Sequence, residues 1–355
     1  MTAAASATLA PALRKTPVLV AGLVGLLLVT VTVAVMIGPV SIRPVLVWRV
    51  VFDRLAPGWL SSTWQSFEAS IIWDVRLPRV LLATIVGAGL AVVGAALQAL
   101  LRNPLADPYL LGTSAGASMG AVCVLLFGTS VLGALSVSAA AFAGALLATI
   151  AVYALAWQSG RFPAARLVLS GVAVSYLFSS MTSLLIFRAP GGEQARTALF
   201  WMLGGLGAAR WESLGLPAAV VLAGTAALMV YSRTLNILSL GEEAAATLGV
   251  DADRFRRIGF VVTSLTTGVL VALSGGIGFV GLMVPHVVRL AVGADHRRLL
   301  PVSALVGAIF LVWADVFARV VVAPEELPIG IVTACAGAPC FLWLMRARGR
   351  LAWVR

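Results

Sequence analysis

Residues 108–160 read PYLLGTSAGASMGAVCVLLFGTSVLGALSVSAAAFAGALLATIAVYALAWQSG, a run of 53 residues without Asp, Glu, Lys or Arg. A helix needs about 20 apolar residues to cross the ~30 Å hydrocarbon core of a bilayer. The run is therefore long enough for two crossings, and the glycines at Gly128 and Gly133 mark a turn between them. The sequence predicts two membrane-spanning helices here.

The rest of the 355-residue chain follows the same pattern. It is 61% hydrophobic and 11% charged, with a mean hydropathy of +1.03, whereas soluble domains carry about 25% charged residues. Another long run turns at 274–276, so eight uncharged runs predict ten spans. We expect an all-α polytopic membrane protein with ten transmembrane helices per subunit and one domain over 1–355. The runs are 16–42, 80–101, 108–160, 167–187, 213–232, 258–288, 299–314 and 327–345.

The basic residues predict the orientation. Residues 16–42 are too long for a signal-peptide core, so they are expected to form a retained first helix that starts inside. Threading ten spans from that start places sixteen basic residues inside and nine outside, in accord with the positive-inside rule. Both termini are therefore predicted to be cytoplasmic. The net charge of +11 reflects these loops, and no nucleic-acid partner is expected.

Two segments on the predicted outer side are neither spans nor simple loops. Residues 43–75 carry four of the ten tryptophans and a few charges, which is typical of amphipathic structure in the headgroup layer. Residues 197–209 are too short to cross, so a short outer helix or a re-entrant piece is expected.

Metal and cofactor chemistry have little support in the composition. The three cysteines lie in apolar runs without a CxxC motif, and the two histidines are too few for a histidine-rich site. We expect no metal site and no cofactor, and we expect His286 to be a packed residue. The pattern Gly112xxxGly116xxxGly120 is typical of close helix packing.

Residues 240–258, LGEEAAATLGVDADRFRRI, form the longest predicted cytoplasmic insertion. Gly241 can begin a short helix that has Glu242 and Glu243 at its positive end, and Gly249 can end it. Asp251 can cap a second short helix that ends in basic residues. The pair would present Ala246, Leu248 and Val250 to a soluble partner. An amphipathic helix lying on the membrane surface is an equally good interpretation.

Several motifs together resemble a known family, the iron-siderophore, haem and vitamin B12 permeases of bacterial ABC importers. The resemblance covers residues 70–345 and is strongest, overall, to the haem permeases. The motifs are Arg76-Leu-Pro-Arg79, Arg102-Asn-Pro-Leu-Ala-Asp-Pro, the Glu242 to Gly249 helix, Gly278-Phe-Val-Gly-Leu-Met-Val-Pro-His286, Glu326-Leu-Pro-Ile-Gly330 and Gly337-Ala-Pro339.

The resemblance implies a fold, partners and sites. The fold would be the inverted-repeat bundle of type II importers, assembled as a homodimer in the bacterial inner membrane. Two copies of a separate ATP-binding subunit would hold residues 242–250, and a periplasmic binding protein would dock outside. Haem is the expected substrate, with a siderophore or vitamin B12 as the alternative. The implied docking residues are Arg76, Arg79 and Arg319, and the implied cytoplasmic gate is formed by Asn103, Leu105, Phe162, Pro163 and Ala164.

Rival interpretations predict different features. A transporter chain that hydrolysed ATP itself would need a phosphate-binding loop that ends in Gly-Lys-Ser/Thr. The sole lysine, Lys15, follows an arginine and not a glycine, so the sequence contains no such loop. We therefore do not expect an enzyme. An ion-coupled transporter would show intramembrane carboxylates, which the first seven spans lack. For the outer arginines, Arg319 could instead pair with Asp315 four residues before it on one helix face, and Arg76 and Arg79 could be membrane-surface anchors.

Overall fold

The computed structural model describes residues 3–38, 42–56, 66–128 and 136–352. The turn predicted at 128–133 lies mostly outside the described residues, as do Trp59 and Trp64. The regular structure of the described part is helical, with connecting loops and an isolated bridge between Gln158 and Arg161. Its α-helices are α1 (Ala3–Met36), α2 (Pro44–Leu55), α3 (Ser66–Ser70), α4 (Leu77–Leu100), α5 (Thr113–Phe127), α6 (Val137–Ala156), α7 (Ala164–Phe187), α8 (Gly192–Met202), α9 (Gly215–Val230), α10 (Ser232–Ser239), α11 (Glu242–Thr247), α12 (Ala252–Ser274), α13 (Val280–Val292), α14 (His296–Val320) and α15 (Ile329–Ala352).

The spans agree with the sequence-based prediction. Seven described helical segments are long and apolar enough to cross a membrane, and three shorter apolar helices, α5, α13 and α15 up to Trp343, complete a set of ten. A π-helical turn at Ile71–Arg76 joins α3 to α4, and 3₁₀ turns at Pro108–Leu111 and Trp211–Ser213 precede α5 and α9. The short helix α8 overlaps the segment predicted as a short outer helix, residues 197–209, only over residues 197–202, because α8 starts at Gly192 and ends at Met202.

The centre of the bundle is α4, of whose 24 residues 20 are buried. Glycines allow neighbouring backbones to approach it closely. A Cβ at Gly87 would collide with the carbonyl of Gly307 in α14, and one at Gly94 would collide with the carbonyl of Gly281 in α13. These contacts fix α13 and α14 against α4.

The predicted glycine packing occurs between α5 and α6. A Cβ at Gly116 would collide with the carbonyl of Gly144, and one at Gly120 with the carbonyl of Ala140. Gly112 has a different role. Its backbone is left-handed, with φ +79°, and it connects the 3₁₀ turn to the start of α5. Only two of the three glycines therefore belong to the packing stripe.

The helices alternate between two ends of the bundle. One end holds residues 102–107, 157–163 and 240–257 and is called the Arg256 end. The other holds the end of α1, the start of α4 and the end of α14, and is called the Arg79 end. Of the predicted amphipathic segment 43–75, the structure describes residues 43–56 and 66–75. On α2, Trp48 and Phe52 are exposed and Val47 and Val50 are buried.

One prediction about segment 240–258 is wrong. Asp251 does cap a helix, since its carboxylate accepts a hydrogen bond from the N–H of Arg254. That helix is not short, however, because α12 continues without interruption to Ser274. No Gly or Pro follows Arg257 immediately and apolar residues lead into the span, so helix propagation continues. The basic residues therefore lie on the first turns of a membrane-spanning helix.

Candidate functional site

The short helix α11 projects from the Arg256 end. The backbone of Gly241, with φ +122°, leads into it, and Gly249, with φ +72°, ends it. The N–H of Val250 donates to the carbonyl of Ala245 at 2.8 Å, and the N–H of Gly249 donates to the carbonyl of Ala246 at 3.0 Å. This pair of bonds is the Schellman termination, which requires the left-handed residue that glycine supplies. The predicted start and end of this helix are confirmed.

The side chains of α11 divide into an outer and an inner set. Leu248 is 60% exposed, and Glu242, Glu243, Ala246 and Gly249 are exposed as well. Ala245 is buried against the bundle, and Val250, predicted to face the cytosol, instead packs partly buried against the core. A partner approaching this end would therefore meet the two carboxylates and the apolar tip at Leu248.

A buried arginine ties α11 to the bundle. Arg256 in α12 is 1% exposed, and its guanidinium donates to the Glu242 carboxylate at 2.7 Å and to the Asp253 carboxylate at 3.0 Å. The same guanidinium donates to the carbonyls of Phe162 at 2.7 Å and Leu100 at 3.3 Å. A planar fork with five N–H donors can serve four acceptors in this way, which a lysine ammonium cannot. Arg256 thus joins α11, the end of α4 and the loop before α7.

The loop after α4 contains the predicted gate residues Asn103 and Leu105. The side-chain oxygen of Asn103 accepts from the N–H of Leu105 at 2.9 Å, which closes a tight turn, and Leu105 is exposed. Arg102 starts the turn with φ +49° and pairs with Glu242 at 3.1 Å. Asp107 ends it, and limited hydration raises the pKa of its carboxyl to about 6 although the N–H of Tyr109 donates to it. This loop is thus linked to α11 through one carboxylate.

The loop before α7 contains the other predicted gate residues, Phe162, Pro163 and Ala164. Phe162 is fully buried, with its ring 5.4 Å from that of Tyr153 and 5.8 Å from that of Phe260. Its N–H donates to the Asp253 carboxylate at 3.2 Å. Pro163 and Ala164 are half-buried at the start of α7. In the described chain, Phe162 therefore anchors its loop to the core rather than facing an open path.

Comparison with known proteins identifies the chain. The model of the FecCD transport family matches residues 26–347. This chain belongs to the FecCD transport family. It is 49% identical over 278 residues to the cobalamin import system permease protein BtuC of Halobacterium salinarum, an alignment that covers 78% of this chain and 74% of the relative. It is 40% identical over 322 residues to the uncharacterized ABC transporter permease protein YvrB of Bacillus subtilis, with 90% of each chain covered.

A solved structure has the same fold as this FecCD chain. It is described as an inward-facing conformation of a putative metal-chelate type ABC transporter, and it superposes with a TM-score of 0.80 at 33% identity. The superposition covers 93% of this chain and 99% of that one. The chain is thus a polytopic membrane permease of the ABC importer type, with the type II importer fold that its motifs predict.

The three arginines of the predicted docking surface are buried at the Arg79 end. Arg76, Arg79 and Arg319 are 5%, 8% and 5% exposed, and each guanidinium has acceptors within the chain. Arg79 donates to the carboxylates of Asp315 and Glu326, each at 2.9 Å. Arg319 pairs with Asp315 at 3.0 Å, which is the intrahelical pair considered from the sequence.

Two of these arginines also complete the end of α1. The last four carbonyls of a helix have no partner within it. Arg76 donates to the carbonyls of Val35 at 2.9 Å and Met36 at 3.1 Å, and Arg319 donates to those of Ala34 and Ile37 at 3.2 Å. The cations also oppose the negative end of the helix dipole. Arg76 and Arg319 therefore have a structural role in this FecCD chain, namely the attachment of α1 to α4 and α14.

Residues with a clear structural role were missed from the sequence. Arg256 looks like an ordinary inside charge, because Glu242 is fourteen positions away and the carbonyl acceptors have no sequence signal. Asp315 lies near the end of a predicted span, and the sequence indicates only its partner four residues later, Arg319, and not Arg79. One helix carries a pattern that is visible in the sequence. In α7, the hydroxyl residues Tyr176, Ser180 and Ser183 recur at helical spacing within an uncharged run, and all three are exposed.

Proposed function

We propose that this FecCD chain is the transmembrane permease subunit of an ATP-driven importer whose Arg256 end contacts a separate cytoplasmic ATP-binding subunit. One observation carries the proposal. Helix α11 is connected to the loop that holds Phe162 through the buried guanidinium of Arg256, and to the loop that holds Asn103 and Leu105 through the pair of Glu242 with Arg102. A force on α11 would therefore act on both candidate gate loops, which is what coupling requires.

The orientation and the partners follow from this assignment. The Arg256 end would face the cytoplasm, with both termini on that side of the inner membrane. ATP hydrolysis would belong to the partner, since this sequence has no Gly-Lys-Ser/Thr loop. Contact would involve Glu242, Glu243, Ala246, Leu248 and Gly249, and Val250 would support the helix from its packed position. Family membership and the match to ABC importer permeases support a complex with two such ATP-binding subunits.

Leu248→Asp should prevent assembly with the ATP-binding subunit. The change would bury an unpaired carboxylate in an apolar contact, at a cost of several kcal/mol. We expect copurification of the ATP-binding subunit to fall at least 100-fold while the permease still inserts and purifies, since Leu248 is exposed in the chain itself. Leu248→Met conserves the side-chain volume and should assemble normally. Equal copurification of both variants would show that α11 is not the contact.

The exposed face of α7 supports a translocation path. Tyr176 is 73% exposed, and Ser179, Ser180 and Ser183 follow it on the same face. Hydroxyl groups are costly against lipid, so such a stripe is typical of a helix that faces a partner or a water-filled cavity. We propose that two copies of the chain pair as a homodimer, with α7 from each copy lining the path between them.

The substrate we favour is cobalamin or a related metal chelate. The relatives with printed substrates are cobalamin permeases, and the matched structure is of a metal-chelate transporter. Haem was the substrate expected from the sequence, and the comparisons favour the alternative, vitamin B12. His286 does not strengthen the case for haem, because it is buried with its ring 6.4 Å from that of Phe341.

Uptake by proteoliposomes would separate these substrates. We expect vesicles that contain the permease and its ATP-binding subunit, with the binding protein outside, to accumulate labelled cobalamin at least tenfold faster than haem. The same vesicles without internal ATP are the control. Faster uptake of haem would restore the original expectation and would leave the permease assignment intact.

Docking of the periplasmic binding protein at the Arg79 end remains a proposal. The half-exposed carboxylate of Glu326 is the accessible member of the cluster. Docking through Arg76, Arg79 or Arg319 would require each guanidinium to exchange an internal acceptor for a carboxylate of the partner. Such an exchange is possible in electrostatic terms, since arginine binds carboxylates in a bidentate manner.

A further inference from the structure

A groove between α6 and α12 opens on the side of the bundle, near its Arg256 end. Its volume is about 420 Å³, and its walls are formed by Tyr153, Arg254, Arg257, Ile258, Val261 and Val262. We propose that this groove is a binding site for one anionic phospholipid of the leaflet at the Arg256 end. The phosphate would lie between the two guanidinium groups, and one acyl chain would lie along the apolar wall.

The position of the two arginines matches the headgroup layer. They lie just before residues 258–288, an uncharged run of the sequence, so the charged head and the apolar wall meet at the edge of the hydrocarbon core. The guanidinium of Arg257 lies 4.5 Å from the ring centroid of Trp157, and its Nε donates to the carbonyl of Asp253 at 3.4 Å. A tryptophan at this level is typical of the membrane interface. Arg257 is thereby oriented before any lipid binds, while Arg254 is exposed.

An exposed apolar stripe continues along α12 beyond the groove for about the depth of one leaflet. Ile258, Val261 and Leu265 recur at helical spacing on α12 and are exposed. The two helices close on each other at Gly268, where a Cβ would lie 3.3 Å from that of Ala145 in α6. Gly268 lies ten positions after Ile258, which corresponds to about 15 Å of helix or half of the hydrocarbon core. An acyl chain that starts in the groove would therefore lie along this stripe within one leaflet.

A soluble partner is the competing occupant. An acidic residue of the ATP-binding subunit could reach Arg254, which is close to α11 in sequence. It could not reach the wall at Val261 and Val262, because these residues lie within the uncharged run that crosses the membrane. Charge complementarity together with an apolar wall below the charges favours a molecule that has both an anionic head and a chain.

The test is retention of lipid by the purified full-length chain. The chain is placed in mixed micelles with equal phosphatidylglycerol and phosphatidylcholine of the same acyl length, stripped of loose lipid, and examined by native mass spectrometry. We expect one retained phosphatidylglycerol per chain. Arg254→Gln/Arg257→Gln should weaken its retention by roughly 30-fold, from about 1 kcal/mol for each arginine near an anionic surface. Arg254→Lys/Arg257→Lys keeps the charge and should retain most of the lipid.

A matched control removes two exposed charges from the same end outside the groove. Arg161→Gln/Arg233→Gln changes the net charge equally, and this variant should retain the lipid as the unchanged chain does. Val261→Trp fills the groove without altering charge, and it should also lower retention. Glycerol phosphate, a headgroup without chains, should not displace the lipid.

Several results would overturn the proposal. These are equal retention of phosphatidylcholine, equal loss in the groove and control variants, or full displacement by glycerol phosphate. Unchanged lipid retention with weaker binding of the ATP-binding subunit would assign the arginines to a protein contact. Each of these readouts is obtained without transport, so failure here is distinct from failure of the proposed importer function.

Discussion

Replacing Asp315 by alanine should lower the free energy of unfolding by about 3–5 kcal/mol, the range expected when one partner of a buried ion pair is removed. The carboxylate of Asp315 is fully buried and pairs with Arg79 at 2.9 Å and with Arg319 at 3.0 Å. Its loss would leave Arg319 with backbone carbonyls alone, and Arg79 with Glu326. Because Arg319 also holds the end of α1, we expect α1 to detach from α14 in the same transition.

The measurement is thermal unfolding of the purified chain in one detergent. Asp74→Ala is the matched control, because Asp74 carries the same charge on the π-helical turn before α4 and is exposed. Its unfolding midpoint should change little, as is usual for surface substitutions. Equal midpoints for the two variants would mean that the buried network is not a stabilising element. A normal midpoint for Asp315→Ala combined with weaker docking of the binding protein would instead favour the docking role of the arginines.

Arg256→Lys should separate ATP hydrolysis from transport. A lysine keeps the positive charge but lacks the planar fork that reaches Glu242 and the carbonyls of Phe162 and Leu100 together. Hydrogen bonds to charged groups contribute about 1.5–3 kcal/mol each. The loss of one or more should therefore lower the number of substrate molecules taken up per ATP hydrolysed at least tenfold. We expect the complex to assemble, because Leu248 is unchanged, and to hydrolyse ATP while uptake falls.

The neighbouring arginine provides the control for this experiment. Arg257→Lys makes the same chemical change one residue further along α12, where the side chain packs over Trp157 instead of joining the loops. The measured quantity is the number of substrate molecules taken up per ATP hydrolysed. Loss of assembly in Arg256→Lys would indicate a purely structural role, and an unchanged ratio in both variants would show that the Arg256 contacts do not transmit movement.

The sequence predicts the spans well because their physical cause is local. The lack of charge between Pro108 and Gly160 and the turn at 274–276 are visible in single stretches. Gly241 and Gly249 bound α11 and Asp251 caps α12, and each of these residues acts on the helix next to it. The end of the helix after Asp251 is predicted wrongly, because basic residues such as Arg256 and Arg257 are typical of a helix C-terminus. Helix propagation into an apolar run prevailed instead.

The candidate site was harder to predict because its contacts join distant segments. Glu242 and Arg256 belong to different helices, and the other acceptors of Arg256 are backbone carbonyls, which every residue has. The outer arginines illustrate the same difficulty. Arg76 and Arg319 stand out in sequence as charges on the outer side, whereas their acceptors are the carbonyls at the end of α1. Sequence identifies unusual charges more readily than it identifies the groups that bind them.

The most direct test of the central claim is ATP hydrolysis measured with the subunits apart and together. Liposomes would carry the permease alone, the ATP-binding subunit alone, or both, with the binding protein added outside. We predict that the permease alone hydrolyses no more ATP than empty liposomes, and that only the combination responds to the binding protein with a higher rate. Hydrolysis by the permease alone, or a combined rate that is unaffected by the binding protein, would contradict the account.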